Sequence, residues 1–173
     1  MLTFSIFLAT CLALFVIGAL TGRSGSSARR GRRPRQGFAV AERAFVIDGD
    51  TLGFDGRRVR LFGIDAPERD HRQGPAATRA LRELMAVHDT TTLLIEPVSQ
   101  DGYGRLVARV FTADGVDLGA EMVATGFARA ARAFSRDYVR AETAARRHGL
   151  GLWGQEGGID DPAAWRAATR QTA

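Results

Sequence analysis

The chain has 173 residues, 45% hydrophobic and 25% charged, the makeup of one globular domain with a small extension rather than of a disordered or fibrous protein. Its single cysteine, Cys11, excludes an intramolecular disulfide, and with only three scattered histidines the chain shows no Cys/His zinc pattern. All 24 basic residues are arginines, and Arg23, Arg29, Arg30, Arg32, Arg33 and Arg35 precede every acid, which leaves 18 arginines against 19 acids from residue 36 onward. The net charge of +5 therefore belongs to the N-terminal arm, and charge alone does not make the remaining domain a nucleic-acid binder.

Residues 2–20 carry no charge and are about as long as a helix needs to cross a bilayer. We expect a single-pass anchor over 1–21. The competing reading, a cleaved signal peptide, lacks a basic residue ahead of the apolar run and a clear small-x-small cleavage site. An Arg/Gly/Ser linker follows over 22–37 and suits an anionic lipid surface. Its arginines favour a cytoplasmic side for the domain, with export the alternative if the N-terminus acts as a signal. A folded domain is expected over 38–155 and a tail over 156–173.

Within the domain, "FAVAERAFVIDGDTLGF" holds short apolar strands with a bend at Gly49, and "DGRRVRLFGI" continues past a tight turn at Asp55-Gly56. "GPAATRALRELMAV" predicts a helix, with Pro75 in its first turn and Leu81, Leu84 and Met85 at helical spacing. "TTTLLIEPV" and "RLVARVFTA" read as strands joined through "SQDGYG". "LGAEMVATG" is a second helix closed by Gly126, "FARAARAF" is extended, and "SRDYVRAETAARRHG" is a third helix with Ser135 as N-cap. "DDPAAWRAATR" predicts a short final helix capped by Asp160 or Asp161, with no function attached to it. Short strands with Gly-rich turns and inserted helices point to a small, partly open α+β barrel of the OB type, with a mixed α+β sandwich as the alternative.

The chemistry gathers at strand ends. Asp48, Asp50, Asp65 and Glu68 lie in "DGDT" and "IDAPE", each following an apolar strand. Neighbouring strands would bring these oxygens together, an arrangement that hard cations such as Ca²⁺ prefer. "DGDT" alone reads more readily as a turn. Arg60 sits inside an otherwise apolar strand and needs a carboxylate partner or a polar cleft. Arg105 follows "DGYG" at the mouth of another strand. The two arginines are either structural ion pairs or a clamp for a phosphodiester.

In this order and spacing, "DGDT", "RLFGIDAPE" and "DGYGR", with "GLW" at 151–153, resemble the staphylococcal nuclease family over roughly residues 38–155. The resemblance implies an OB-fold five-stranded barrel with three helices. It implies Ca²⁺ held by Asp50, Asp65 and the backbone carbonyl of Ala66, where the family has threonine. Arg60 and Arg105 would contact the phosphate, Glu68 would be the general base, and Tyr103 would reach a terminal phosphate. Arg132 and Phe134 take the places of two substrate-contacting tyrosines, although core packing is the plainer expectation for Phe134. The implied partner is DNA or RNA, preferably single-stranded, cut at the P–O5′ bond to leave 3′-phosphate ends. The alternative is an inactive binding module of the same fold, and no protein partner is inferred.

Overall fold

The computed structural model describes residues 39–88 and 92–171. The anchor expected over 1–21 and the linker over 22–37 lie outside the described residues. Among the described residues no helix is long and apolar enough to cross a membrane.

Six strands form one sheet: β1 (Ala39–Glu42), β2 (Phe45–Asp48), β3 (Thr51–Phe54), β4 (Arg57–Leu61), β6 (Thr92–Gln100) and β7 (Leu106–Thr112). Their order is β1-β6-β7-β4-β3-β2, antiparallel except for the parallel pair β4–β7. Two further short strands, β5 (Ile64–Asp65) and β8 (Arg129–Ala130), pair with each other. The five-stranded barrel expected from the resemblance is corrected to a six-stranded sheet, and the expectation of a partly open arrangement holds: the edge strands β1 and β2 are not paired with each other. Only Arg43 and Ala44 separate them in the chain, a reach of about 11 Å. The short link therefore keeps the end of β1 near the start of β2, while the two strands pair with β6 and β3 instead of with each other.

The local chemistry explains the turns. Asp55 and Gly56 both have positive φ, 47° and 71°, the mirror-image turn that matches the twist of a tight hairpin. Alternation along β4 sends Val59 and Leu61 into the core and turns Arg58 and Arg60 to the opposite face. Gly49 does more than mark a bend. A Cβ there would meet the Cβ atoms of Ala66 and Ala77 at 2.8 Å, so only glycine lets this turn press against α1 (Gly74–Val87).

Among the described residues there are four α-helices, one more than the family resemblance implied. Helix α1 spans the residues expected and buries Ala77, Leu81 and Met85 along one stripe. Helix α2 (Leu118–Ala124) is capped by Asp117, which accepts from the Ala120 N–H at 3.1 Å and from the Tyr138 hydroxyl at 2.7 Å. Helix α3 covers only Val139–Arg147, which corrects the expected start at Ser135. The Ser135 hydroxyl accepts from the Asp137 N–H instead, while Arg109 grips the Asp137 carboxylate and Asp117 holds Tyr138. These contacts keep residues 135–138 out of the helix.

The tail is docked. Helix α4 (Pro162–Gln171) is capped by Asp161, which accepts from the N–H groups of Ala163 and Ala164. Gln73, 2% exposed, clasps the segment before it. Its amide nitrogen donates to the Gly158 carbonyl at 2.8 Å and to Gln155 at 3.0 Å, and its oxygen accepts from the Asp160 N–H at 3.0 Å. His71 and Arg72 both reach Asp160, and His71 stands edge-on to Trp165. Replacing Gln73 with leucine strands the buried Gly158 carbonyl and removes the bonds to Gln155 and Asp160, and we expect a loss of about 2 kcal/mol, read as a lower urea midpoint at unchanged slope.

Candidate active site

Asp50 lies in the turn before β3 and is 4% exposed. Its Oδ1 accepts from Thr51 Oγ1 at 2.9 Å and from Arg60 Nη1 at 2.8 Å, and its Oδ2 accepts from the Ala66 N–H at 3.2 Å. Arg60 stands directly across from Thr51 on β4, so the sheet register itself sets this contact. The second guanidinium nitrogen of Arg60 donates to Asp65 Oδ1 at 2.7 Å. One arginine thus ties together two carboxylates from two strand ends.

Glu68 follows on the loop into α1. Its carbonyl accepts from the His71 N–H, and a Cβ on Gly74 would lie 1.8 Å from that same oxygen. The bare backbone of Gly74 is what allows the helix start to pack against Glu68.

The residue that closes the cluster comes from the tail. Arg166 of α4 donates from Nη1 and Nη2 to the two oxygens of Asp65, at 3.0 and 2.8 Å, and from Nη1 to Glu68 Oε1 at 2.7 Å. Sequence reasoning assigned the tail no function and missed this arginine. A lone Arg on a short polar helix carries no pattern that names a partner about a hundred positions away.

The site is short of positive charge. Among the described residues Asp50, Asp65 and Glu68 are ion-paired only with Arg60 and Arg166. Burial holds the Asp50 carboxyl above the ordinary carboxylate range, with Asp48 and Asp65 adding to the rise and Arg60 opposing it. The donors are all oxygen, which suits a hard divalent cation and not a soft one. Among the described residues no three acidic or histidine side chains are gathered closely enough to enclose a metal ion, because guanidinium groups stand between them. In charge and donor type the residues fit Ca²⁺.

The other expected residues lie in different bonding networks. Arg105 donates from Nε to Asp101 Oδ2 at 2.7 Å and stacks on Tyr103, whose ring is 80% exposed. Asp101 also accepts from the backbone N–H groups of Tyr103 and Arg105. Burial works to raise the Asp101 carboxyl, but the hydrogen bonds from Arg105 and Tyr103 outweigh it and hold the group below its usual value. Arg105 is thus ion-paired with Asp101, and the second arginine hydrogen-bonded at the acids is Arg166. Arg132 pairs with the buried Glu142. Phe134 is 79% exposed, which corrects the expectation of core packing.

Residues 58–155 match the family described as Staphylococcal nuclease homologue. The chain is similar to the succinoglycan biosynthesis protein ExoI of Rhizobium meliloti, 33% identical over 130 residues, covering 66% of this chain and 64% of that protein. It is also similar to an uncharacterized endonuclease of Escherichia coli O157:H7, 32% identical over 70% of this chain and 80% of that protein. A further uncharacterized endonuclease, of Haemophilus influenzae, is 34% identical over 70% and 69%. The matched family segment stops at residue 155, short of α4 and Arg166. With a nuclease-type α+β fold and acids and arginines gathered at its strand ends, the chain belongs to the staphylococcal nuclease homologue family and is a hydrolase of the nuclease type.

Proposed function

We propose that the chain is a Ca²⁺-dependent endonuclease that hydrolyses phosphodiester bonds in DNA and RNA, preferring single strands. The observation that carries this reading is the bridging of Asp50 and Asp65 by Arg60 at two adjoining strand ends. Asp50, Asp65 and the carbonyl of Ala66 would hold the ion, which when bound supplies charge neutralisation at a phosphate oxygen and an oriented water. Arg60 stands on a rigid strand with its fork turned to the acids, placed to stabilise the extra charge of the five-coordinate transition state. Glu68 is the base that takes a proton from the attacking water, and Arg166 holds its carboxylate in place. Arg105 would join Arg60 on the reacting phosphate and Tyr103 would reach a terminal phosphate, with Arg132 and Phe134 further along the strand. Residues 2–20 would tether the enzyme to a membrane.

The test is cleavage of single-stranded DNA by the full-length protein, with Ca²⁺ and with chelator. Cleavage that requires Ca²⁺ and is slower on duplex is the expected result. An intact strand beside folded, Ca²⁺-supplied protein would move the reading to a binding module. We also expect Arg105→Ala to lower kcat/KM by about a hundredfold without changing Tm. An unchanged kcat/KM would leave Arg105 as a structural partner of Asp101.

A further inference from the structure

A second concavity lies beside the cluster, and the candidate chemistry does not use it. Phe45 opens β2 with its ring 59% exposed. Phe45 pairs in register with Gly53, which in turn pairs with Arg58. A Cβ on Gly53 would come within 2.4 Å of the Phe45 ring, so the missing side chain is what lets the ring lie flat over the strand. Phe45 is thus an exposed aromatic held in place by its backing, not a loose surface residue.

Arg57, Arg58, Arg69 and Arg82 surround it and line, with Phe45, a concavity of about 380 Å³ that contains no acid. Among the described residues none of these four arginines is in an ion pair. Arg58 and Arg60 are two residues apart on β4, so they share one face about 7 Å apart. Arg69 directly follows Glu68. Arg57 and Arg58 also line the neighbouring concavity of Tyr103 and Arg105. The near-neutral domain thus concentrates uncompensated positive charge beside its acid cluster.

Resting on the nuclease reading, we propose that Phe45 and these four arginines form an additional nucleotide subsite. A base of a single-stranded DNA or RNA stacks on Phe45, and the arginines take the phosphates that flank the scissile bond. Stacking and charge together bind a strand without reading its sequence. The test measures binding of a labelled oligothymidylate to the full-length protein in chelator, over a range of salt. Phe45→Ala should weaken binding about tenfold, and Phe45→Trp should restore it. Arg57→Glu with Arg58→Glu should flatten the salt dependence by at least about 1.4 in logarithmic slope. With Ca²⁺, KM should rise far more for the oligonucleotide than for a dinucleotide. Wild-type affinity and slope in these variants, or no binding by the wild type, overturns the subsite. Binding without cleavage in the wild type would sink the nuclease reading and leave the subsite standing.

Arg166 carries a second inference independently. Asp65 Oδ1 accepts from both Arg60 and Arg166, and Oδ2 accepts from Arg166. Three of the roughly four lone-pair sites of Asp65 are taken, two of them by Arg166, so a divalent cation seated on Asp65 competes with Arg166 for the carboxylate. We infer that Arg166 is a tethered competitor of the cation, released from Asp65 when the ion arrives. Calorimetric titration of the full-length protein with Ca²⁺ tests this without reference to cleavage. Arg166→Ala should bind Ca²⁺ at least about tenfold more tightly than wild type, with Arg166→Lys, which lacks the two-pronged grip, in between. Equal or weaker binding by Arg166→Ala overturns the inference alone. If neither protein takes up Ca²⁺, this inference and the Ca²⁺ assignment fall together.

Discussion

Replacing Glu68 with glutamine should lower kcat for strand cleavage by about a thousandfold and leave Tm nearly unchanged. The amide has the same shape, and its oxygen can still accept the Arg166 N–H that now holds Glu68 Oε1. The loop stays in place because its geometry is set by the backbone, through the His71 N–H on the Glu68 carbonyl and the close approach of Gly74. What is lost is the ability to take a proton from water, a contribution of about 10²–10⁴ in rate. Single-turnover cleavage with circular dichroism as a control decides it. Wild-type turnover in the variant would remove Glu68 from the mechanism.

Arg60→Ala should be the most damaging substitution for stability. Among the described residues Arg60 is the only side chain that bridges Asp50 and Asp65, and it lies mostly buried with Asp50. Its removal leaves a buried carboxylate facing another with no cation between them, at a cost of about 3 kcal/mol or more. The loss should shrink as pH falls. Asp50 already has a raised carboxyl value, and without Arg60, which lowers it, the value rises further. A group with a raised folded value destabilises at pH above that value and recovers as it protonates, so acidification rescues the variant. Urea unfolding across pH measures this, and a pH-independent deficit would show that Asp50 does not carry the cost. Cleavage should be abolished together with the loss of stability.

Much of this architecture was legible because it is local. Pro75 and the apolar stripe of α1 lie within one segment, as do Asp161 and Pro162 at the start of α4. The acids were legible because each follows a strand. Arg105 shows how two readings coexist in one short motif. Its partner Asp101 lies four positions earlier in the same "DGYGR" turn, and this is the structural ion pair that the sequence allowed beside a phosphate clamp. The late start of α3 was hidden because Ser135 is a good cap in isolation, and only the contacts of Asp137 and Tyr138 with other elements override it. The sixth strand of the sheet was hidden for a related reason: strand patterns report which residues are buried, not which segments hydrogen-bond to which.

The clasp of Gln73 and the reach of Arg166 also set an order in time. The Gln73 bond to Gly158 spans 85 positions and the Arg166 bond to Asp65 spans 101. Contacts so distant in sequence close late, after the hairpins and α1 have formed. During synthesis the acids emerge early, yet Arg166 follows Asp65 by 101 positions. The acid cluster is therefore completed only after the sheet and α1 have formed, and a nascent chain stopped short of residue 166 carries a half-neutralised acid cluster.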